Sequence, residues 1–377
     1  MGVECLIEAE AWLRLAGIFK EGGYKSVFLA ADINTWNAFG IGGKVTRLLE
    51  ENGVKHGKYV FGDECLVPDE AAVGRLITAI PGDIAQAGLI VGIGSGAICD
   101  LSRFCAYRLN ADFIMIPTAA SMDGYLSSIS PLIINRSKTT FEGKQPVAAL
   151  CDPELLRSAP GVMTSAGFGD IMGKVTSGID WILSRELLGE RYVEPAAEKA
   201  AEAVRICEEN ADGAGANSAD GVKAVVRALL LSGEAINETG NSRPASGAEH
   251  HLSHYWEEAF LREGKPPVLH GIKVAVAALT VIRVNGLLLK EESCGGYDGE
   301  TVKSVISRHT PDYGRFEGLL KRGGCPVSPA EIGIGRQTYI DGILNAFRLR
   351  ERFTVLRLAH ELGALPRYAG ILADFYY

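Results

Sequence analysis

The sequence has no run of about 18 or more apolar residues, the length that a membrane-crossing helix needs. The best candidate, Val274 to Leu289, is broken by Arg283 and Asn285, so no membrane insertion is expected. A cationic excess is also missing. The 38 lysines and arginines against 46 acids leave a net charge of −8, the wrong sign for general binding to nucleic acid or an anionic bilayer. There is no C-x-x-C pair, and the eight cysteines are scattered. That pattern argues against a thiolate metal site and for reduced thiols that behave as small hydrophobes. The N-terminus, MGVECLIEAE, is acidic and carries no basic segment ahead of an apolar one, so no secretory signal is expected and the cytoplasm is the expected location. Histidine is scarce as well, with seven in 377 residues. Any metal here is expected to be held by nitrogen and oxygen.

What is present is a change of texture part-way along. Up to about residue 160, short apolar runs alternate with helical patterns. Ser26–Ala30, Lys58–Phe61, Gly88–Gly92 and Phe113–Ile116 read as strands, nearly all apolar, as when both faces of a parallel sheet are covered. Trp36 to Asn52, with Thr35 as N-cap, Glu70 to Ile80 and Ala97 to Leu109 read as the intervening helices. From Pro160 onward strand signals vanish and long amphipathic stretches follow, among them Gly167–Leu188, Ala248–Arg262 and His270–Lys290. The expectation is an α/β domain with a Rossmann-like parallel sheet over residues 1–160, then an all-α domain over 161–377, with ligands in the cleft between them.

Three of the seven histidines fall within Glu249-His-His-Leu-Ser-His254. On a helix, His250 and His254 share a face one turn apart, and imidazole is the commonest protein ligand for a transition metal. His251, about 100° round the helix, points elsewhere. His270 follows closely and opens another apolar helix. The cluster is not a zincin motif, because H-E-x-x-H needs Glu where position 251 has His, so protease chemistry is disfavoured. A carboxylate from elsewhere is the natural third ligand. Asp170 fits that part, and equally fits an acid in the first turn of a helix.

In the first half, Gly92-Ile-Gly94-Ser95-Gly96 follows a strand and opens a helix. It suits backbone approach to a pyrophosphate, and it equally suits a tight turn. It is neither the G-x-G-x-x-G fingerprint nor a P-loop. Asp32, just past the first strand, is placed for a ribose 2′-hydroxyl or for helix capping. Pro117-Thr-Ala-Ala-Ser-Met-Asp123-Gly124, at a strand's carboxyl end, suits a nicotinamide or a polyol, or an ordinary polar loop.

Taken in order, Gly92-Ile-Gly-Ser-Gly-Ala-Ile-Cys-Asp100, Pro117-Thr-Ala-Ala-Ser-x-Asp-Gly124, Gly167-Phe-Gly-Asp170, Ser242-Arg-Pro-Ala-Ser-Gly-Ala-Glu-His250 and Leu269-His-Gly-Ile-Lys273 resemble the sn-glycerol-1-phosphate dehydrogenases, and the run Asn241 to His254 their bacterial branch. That family is grouped with glycerol dehydrogenase, iron-type alcohol dehydrogenases and dehydroquinate synthase, whose fold is then expected. The resemblance implies that Asp170, His250 and His270 hold one divalent metal, Zn²⁺ first, with Ni²⁺ or Fe²⁺ as alternatives. It implies that His254 takes part in proton transfer, with Asp123 as a second candidate that also touches substrate hydroxyls. Gly94, Ser95, Gly96 and Asp100 match the pyrophosphate turn, and Thr118, Ser121 and Ser127 match positions near the nicotinamide and its ribose. Arg103 stands where relatives often carry Lys.

The implied reaction is reversible, NAD(P)H-linked reduction of dihydroxyacetone phosphate to sn-glycerol 1-phosphate, feeding glycerophospholipid synthesis. A phosphate dianion needs cationic partners, for which Lys138, Arg243 and Lys273 are the candidates. Asp32 should repel a 2′-phosphate, so NAD(H) is expected over NADP(H). A homodimer is the default for such an enzyme. The alternatives are a polyol dehydrogenase without phosphate recognition, a dehydroquinate synthase-like cyclase, which usually carries glutamate where Asp170 stands, and a non-catalytic metal-binding protein on the same fold.

Overall fold

A computed structural model describes residues 3–84, 88–135 and 137–377. The chain divides into two compact units, Met1–Thr164 and Ser165–Tyr377. The elements of the first are β1 Glu4–Ile7, α1 Arg14–Glu21, β2 Ser26–Asp32, α2 Ile33–Asn37, α3 Ile41–Glu51, β3 His56–Phe61, α4 Glu70–Ala79, β4 Gly88–Gly94, α5 Gly96–Leu109, β5 Asp112–Pro117, β6 Ile129–Ile134, β7 Ser137–Glu142, β8 Ala148–Cys151 and α6 Pro153–Arg157. Six strands form one parallel sheet in the order β1-β8-β5-β4-β2-β3, and β6 and β7 pair as a separate antiparallel hairpin. Every residue of β4 is buried, the signature of a central strand covered on both faces. The core on one face gathers Val27, Leu29, Val91, Ile93, Ile114 and Ile116 with helix residues Leu15, Val45 and Leu49.

After β2 the chain steps to β3 on one side and then returns to β4 on the other, so the order reverses between β2 and β4. In open parallel sheets that is where ligands meet the strand ends. Asp32 ends β2 and Gly94 ends β4, in adjacent register through the pair Ala31 and Ile93.

Some sequence expectations need correction. The helix read from Trp36 to Asn52 is two helices, because Phe39 and Gly40 take left-handed backbone (φ 54° and 66°) between them. Its cap is Asp32 rather than Thr35. Asp32 accepts the Asn34 and Thr35 amides, and Thr35 accepts the Asp32 amide in return, the reciprocal arrangement of a capping box. Strands β1, β6, β7 and β8 were not anticipated; β1 and β8 have only four residues each, and β6 and β7 form a hairpin outside the main sheet.

The second unit is entirely helical among the described residues. Helix α7, Gly161–Met172, runs into it and is followed by α8 Lys174–Leu188, α9 Glu194–Glu209, α10 Ala211–Gly215, α11 Ala219–Thr239, α12 Ala248–Glu263, α13 His270–Leu288, α14 Gly299–His309, α15 Tyr313–Arg322, α16 Arg336–Asn345, α17 Val355–Glu361 and α18 Leu365–Tyr376. Helix α13 is long and apolar, with a mean hydropathy of 1.6 over its best window, but 83% of that window is buried inside the protein. A helix apolar on all sides and packed on all sides is a core element, and Arg283 is accommodated by stacking over Phe375 and Tyr313.

Candidate metal centre and cofactor turn

Three helices of the second unit supply one side chain each to a common point. Asp170 comes from α7, His250 from α12 and His270 from the first residue of α13. Their donor atoms all lie within 4.8 Å of one another. Asp170 Oδ1 stands 3.5 Å from His250 Nε2 and 3.9 Å from His270 Nε2. Glycines allow this approach. A Cβ on Gly271 would stand 1.8 Å from the Ala166 carbonyl oxygen, and one on Gly169 would stand 2.6 Å from that of Gly271. Both glycines stand beside a ligand residue, and a side chain at either would hold α7 and α13 apart.

Asp170 lies near the carboxyl end of α7, not in its first turn as the sequence suggested, because the helix begins at Gly161. A carboxylate there is opposed by the helix dipole by about 0.3–1 kcal/mol. Its burial, complete here, costs several kcal/mol more unless it is paired. A capping role is therefore excluded, and the compensation is visible. Lys174, one turn on and itself buried, places Nζ 3.2 Å from Asp170 Oδ1. Burial pushes the Asp170 pKa up, but Lys174, His250 and His270 outweigh it and the net displacement is downward. Asp170 is thus held as an anion aimed at two imidazole nitrogens.

His250 has a second partner behind it. Its Nδ1 is 2.7 Å from Glu249 Oε1. Glu249 is fully buried and accepts the Gly247 amide at 2.7 Å and the Thr176 hydroxyl at 2.7 Å. Burial raises the Glu249 pKa, but these bonds win and keep it low. An ionised carboxylate only accepts, so Nδ1–H donates to it and the Nε2 lone pair is left facing Asp170 and His270. That is how a carboxylate behind a histidine fixes the tautomer of a metal ligand. Two nitrogens and one carboxylate oxygen, one nitrogen oriented from behind, fit a divalent ion with open positions. Neither Glu249, Thr176 nor Lys174 was singled out from the sequence. Only the spacing of Lys174 from Asp170, i to i+4 on a helix, offered a signal.

One turn along α12, His254 completes a triangle of rings, with centroids 6.0 Å from His250 and 5.6 Å from His270. His254, Glu257 and His270 form a second set of donor atoms within 4.8 Å of one another. Lys273, buried on α13, reaches to 3.6 Å from Glu257 Oε2. Glu257 was also missed, although it sits three residues past His254 on the same helical face. His251 is fully buried, off the cluster, and neither ring nitrogen has a hydrogen-bond partner. Burial, together with Arg350, pushes its pKa down to about 3. Arg243 is buried and commits Nη2 to the carbonyls of Asp180 and Phe353 and to Glu190 Oε2.

In the first unit the cofactor candidates gather at adjacent strand ends. The Gly94 carbonyl accepts the Thr118 amide at 2.8 Å, and the Thr35 hydroxyl donates to the Ile93 carbonyl at 2.9 Å. A Cβ on Gly94 would lie 2.6 Å from Ile98 Cβ, so glycine is what lets β4 turn straight into α5. At Gly96 a Cβ would meet nothing within 4 Å, which leaves the backbone of the first turn open to a ligand. Ser95, the N-cap of α5, makes no side-chain capping bond. Both capping bonds to Asp32 land on Oδ1, so Oδ2 is not used by the cap. Thr118, Ser121 and Ser127 are buried in the loop after β5, where Ser121 Oγ is 3.3 Å from the Tyr125 hydroxyl and Ser127 Oγ accepts the Ile129 amide. Asp123 opens the short 3-10 turn Asp123–Leu126. Arg103 is fully buried and ties this loop down by donating to the carbonyls of Gly124, Tyr125 and Ile129. Asp100, 4.0 Å from Arg103, has its pKa pushed up to about 7 by burial, against the pull of Arg103 and Lys138. Lys138 sits on β7 of the same unit.

The family model for iron-containing alcohol dehydrogenase matches residues 6–160. Glycerol-1-phosphate dehydrogenase (NAD(P)+) of Bacillus licheniformis is 35% identical, over 94% of this chain and 88% of that protein. The protein of the same name from Bacillus subtilis is 32% identical over 95% and 91%. Among solved structures, glycerol dehydrogenase from Schizosaccharomyces pombe superposes with a TM-score of 0.71 at 20% identity, covering 98% of this chain and 90% of that one. Sulfoacetaldehyde reductase from Bifidobacterium kashiwanohense, in complex with NAD+, gives 0.71 at 16% identity over 99% and 97%. The fold is theirs.

Proposed function

Because this chain belongs to the glycerol-1-phosphate dehydrogenase family, we propose that it interconverts dihydroxyacetone phosphate and sn-glycerol 1-phosphate, using NAD(H) or NADP(H) and one divalent metal. The observation that carries this reading is the convergence of Asp170, His250 and His270 from three helices, with Glu249 behind His250. These three residues would hold the metal, and when bound it supplies Lewis acidity toward the substrate's C2 oxygen. The reduced nicotinamide supplies the hydride.

The chain's own residues do the rest. Asp170 and Lys174 form a buried ion pair that balances charge at the centre. Glu249 holds the His250 tautomer. His254, next to both metal-ligand rings, is assigned the proton that the C2 oxygen gains on reduction, and Asp123 the contact to the substrate's hydroxyls. Lys273, Lys138 and Arg243 remain the candidates for the substrate phosphate. Lys273 is the best supported, since its buried ammonium lies one turn from His270. The amides opening α5 at Gly94, Ser95 and Gly96, with Asp100 behind them, are assigned the cofactor pyrophosphate. Thr118, Ser121 and Ser127 are assigned the nicotinamide and its ribose.

Asp32 Oδ2 suits the adenosine ribose hydroxyls and repels a 2′-phosphate, which favours NADH over NADPH. Zn²⁺ suits the donor set first, and Ni²⁺ or Fe²⁺ also suit it. The test is to incubate the metal-loaded protein with dihydroxyacetone phosphate and NADH or NADPH, and to assign the enantiomer formed. The expected product is sn-glycerol 1-phosphate, formed faster with NADH. No oxidation of either cofactor, or sn-glycerol 3-phosphate as product, defeats the reading.

A further inference from the structure

Beside the metal-binding helices, the helical unit gathers one buried and two half-buried guanidinium groups, Arg243, Arg350 and Arg352, for which it supplies too few anions. Arg350 and Arg352 lie between α16 and α17. Arg350 Nη1 and Arg352 Nη2 both donate to one acceptor, Ser242 Oγ, at 3.3 and 3.0 Å. Arg352 Nη1 donates to the Ser246 carbonyl at 3.2 Å. Among the described residues no carboxylate lies within 4.0 Å of either guanidinium. A third guanidinium, Arg243, is held against the neighbouring Phe353 carbonyl at 2.9 Å. Its Nη2 meets Glu190 at 3.0 Å, but its Nε and Nη1 are buried without a partner. Ser246 Oγ and both ring nitrogens of His251 are likewise buried and unpartnered. Buried polar groups are nearly always satisfied, and each exception asks for an unseen partner.

We propose that Arg350 and Arg352, flanked by Arg243, Ser246 and His251, form a binding site for a small oxyanion of the phosphate class. Guanidinium forks match such an anion with paired N–H donors, and two forks sharing a neutral hydroxyl are the arrangement that an added dianion would stabilise. The positive field is already felt locally. Burial, then Arg350 and Arg243, pull the Arg352 pKa down to about 10, while Glu190 and Glu249 oppose. Asp180, the other acid facing Arg243, spends both oxygens on the amides of Ala248 and Val355 at 2.7 Å. A surface cavity of about 450 Å³ reaches Arg352. Of the acids on its wall, Glu361 is held by Arg357 at 2.6 Å, and Glu351 is exposed. Either free phosphate or the phosphoryl group of the substrate could supply this chemistry.

Thermal melts of the metal-loaded protein in inorganic phosphate, against sodium chloride at matched ionic strength, test the site. The expected result is a saturable rise in melting temperature that is lost in the double variant Arg350→Gln/Arg352→Gln. A wild-type response no larger than that to chloride overturns the proposal, and so does a response that the double variant retains. Should that variant not fold, Arg352→Lys, which keeps the charge and loses the fork, must still weaken the response. Competitive inhibition by phosphate, with the KM for dihydroxyacetone phosphate raised about tenfold in the variant, assigns the site to the substrate's phosphoryl group. Stabilisation by phosphate without competition assigns it to the free anion. A protein that never turns over dihydroxyacetone phosphate defeats the dehydrogenase reading alone, and the melts still decide the anion site.

Discussion

Asp100 in the sheet unit and Asp170 in the helical unit are both buried carboxylates, and their surroundings drive them in opposite directions. For Asp100 burial wins, because Arg103 stands 4.0 Å away and gives its N–H groups to loop carbonyls. The result is a pKa near 7. For Asp170 burial loses, because Lys174 is at 3.2 Å and two imidazoles follow within 4 Å. The comparison extends to the units that contain them. The sheet unit offers a ligand mainly backbone amides, glycines and small hydroxyls at strand ends, where few charges need balancing. The helical unit offers side chains, and at its candidate metal centre the buried charges have named partners, Lys174 for Asp170 and Glu249 for His250.

The largest effect expected from breaking this contrast is at Asp170. Asp170→Asn removes the anion and leaves the shape, and kcat/KM for dihydroxyacetone phosphate should fall about 10³-fold or more, the scale of several kcal/mol of lost charge stabilisation. NADH binding, followed by its fluorescence, should persist, since we place it on the other unit. Loss of both together would end the division of labour. Glu249→Gln comes next. The variant can no longer accept from Nδ1 as an anion, and metal affinity measured by chelator competition should drop about 10–100-fold. Unchanged affinity would mean that His250 needs no orienting partner. The smallest effect is at Asp100. Its pKa is raised from the ordinary carboxylate range to about 7, so the group is neutral below that pH and becomes an anion above it. An added negative charge beside the pyrophosphate turn should weaken NADH binding about threefold between pH 6 and pH 8. Asp100→Asn should flatten that profile, and a slope that survives the substitution would place Asp100 away from the cofactor.

Much of this was legible in the residues. The parallel sheet followed by helices was readable because strands buried on both faces are uniformly apolar and long helices repeat every 3.6 residues. The pairing of His250 with His254, and the exclusion of His251, needed only helix geometry. Other features were hidden for physical reasons. The strands at β1 and β8 are four residues each, too short for a periodic signal. The break at Phe39 depends on a non-glycine residue taking left-handed backbone, which nothing local demands. Asp170 looked like a helix start because Gly167 and Gly169 disguise the last turns of α7 as its beginning. Gly169 has a packing job: an added methyl there would collide with α13.

The sequence alone therefore determined the central strands and the long helices, the family and the identity of the candidate ligands, because periodicity, turn chemistry and motif order are local properties of a chain. Only the tertiary structure decided which charges balance one another. It set Lys174 against Asp170, put Glu249 behind His250, and gathered Arg243, Arg350 and Arg352 from segments about a hundred residues apart in the chain. The electrostatic energy of a buried group depends on distance and burial, and neither exists until the helices have packed.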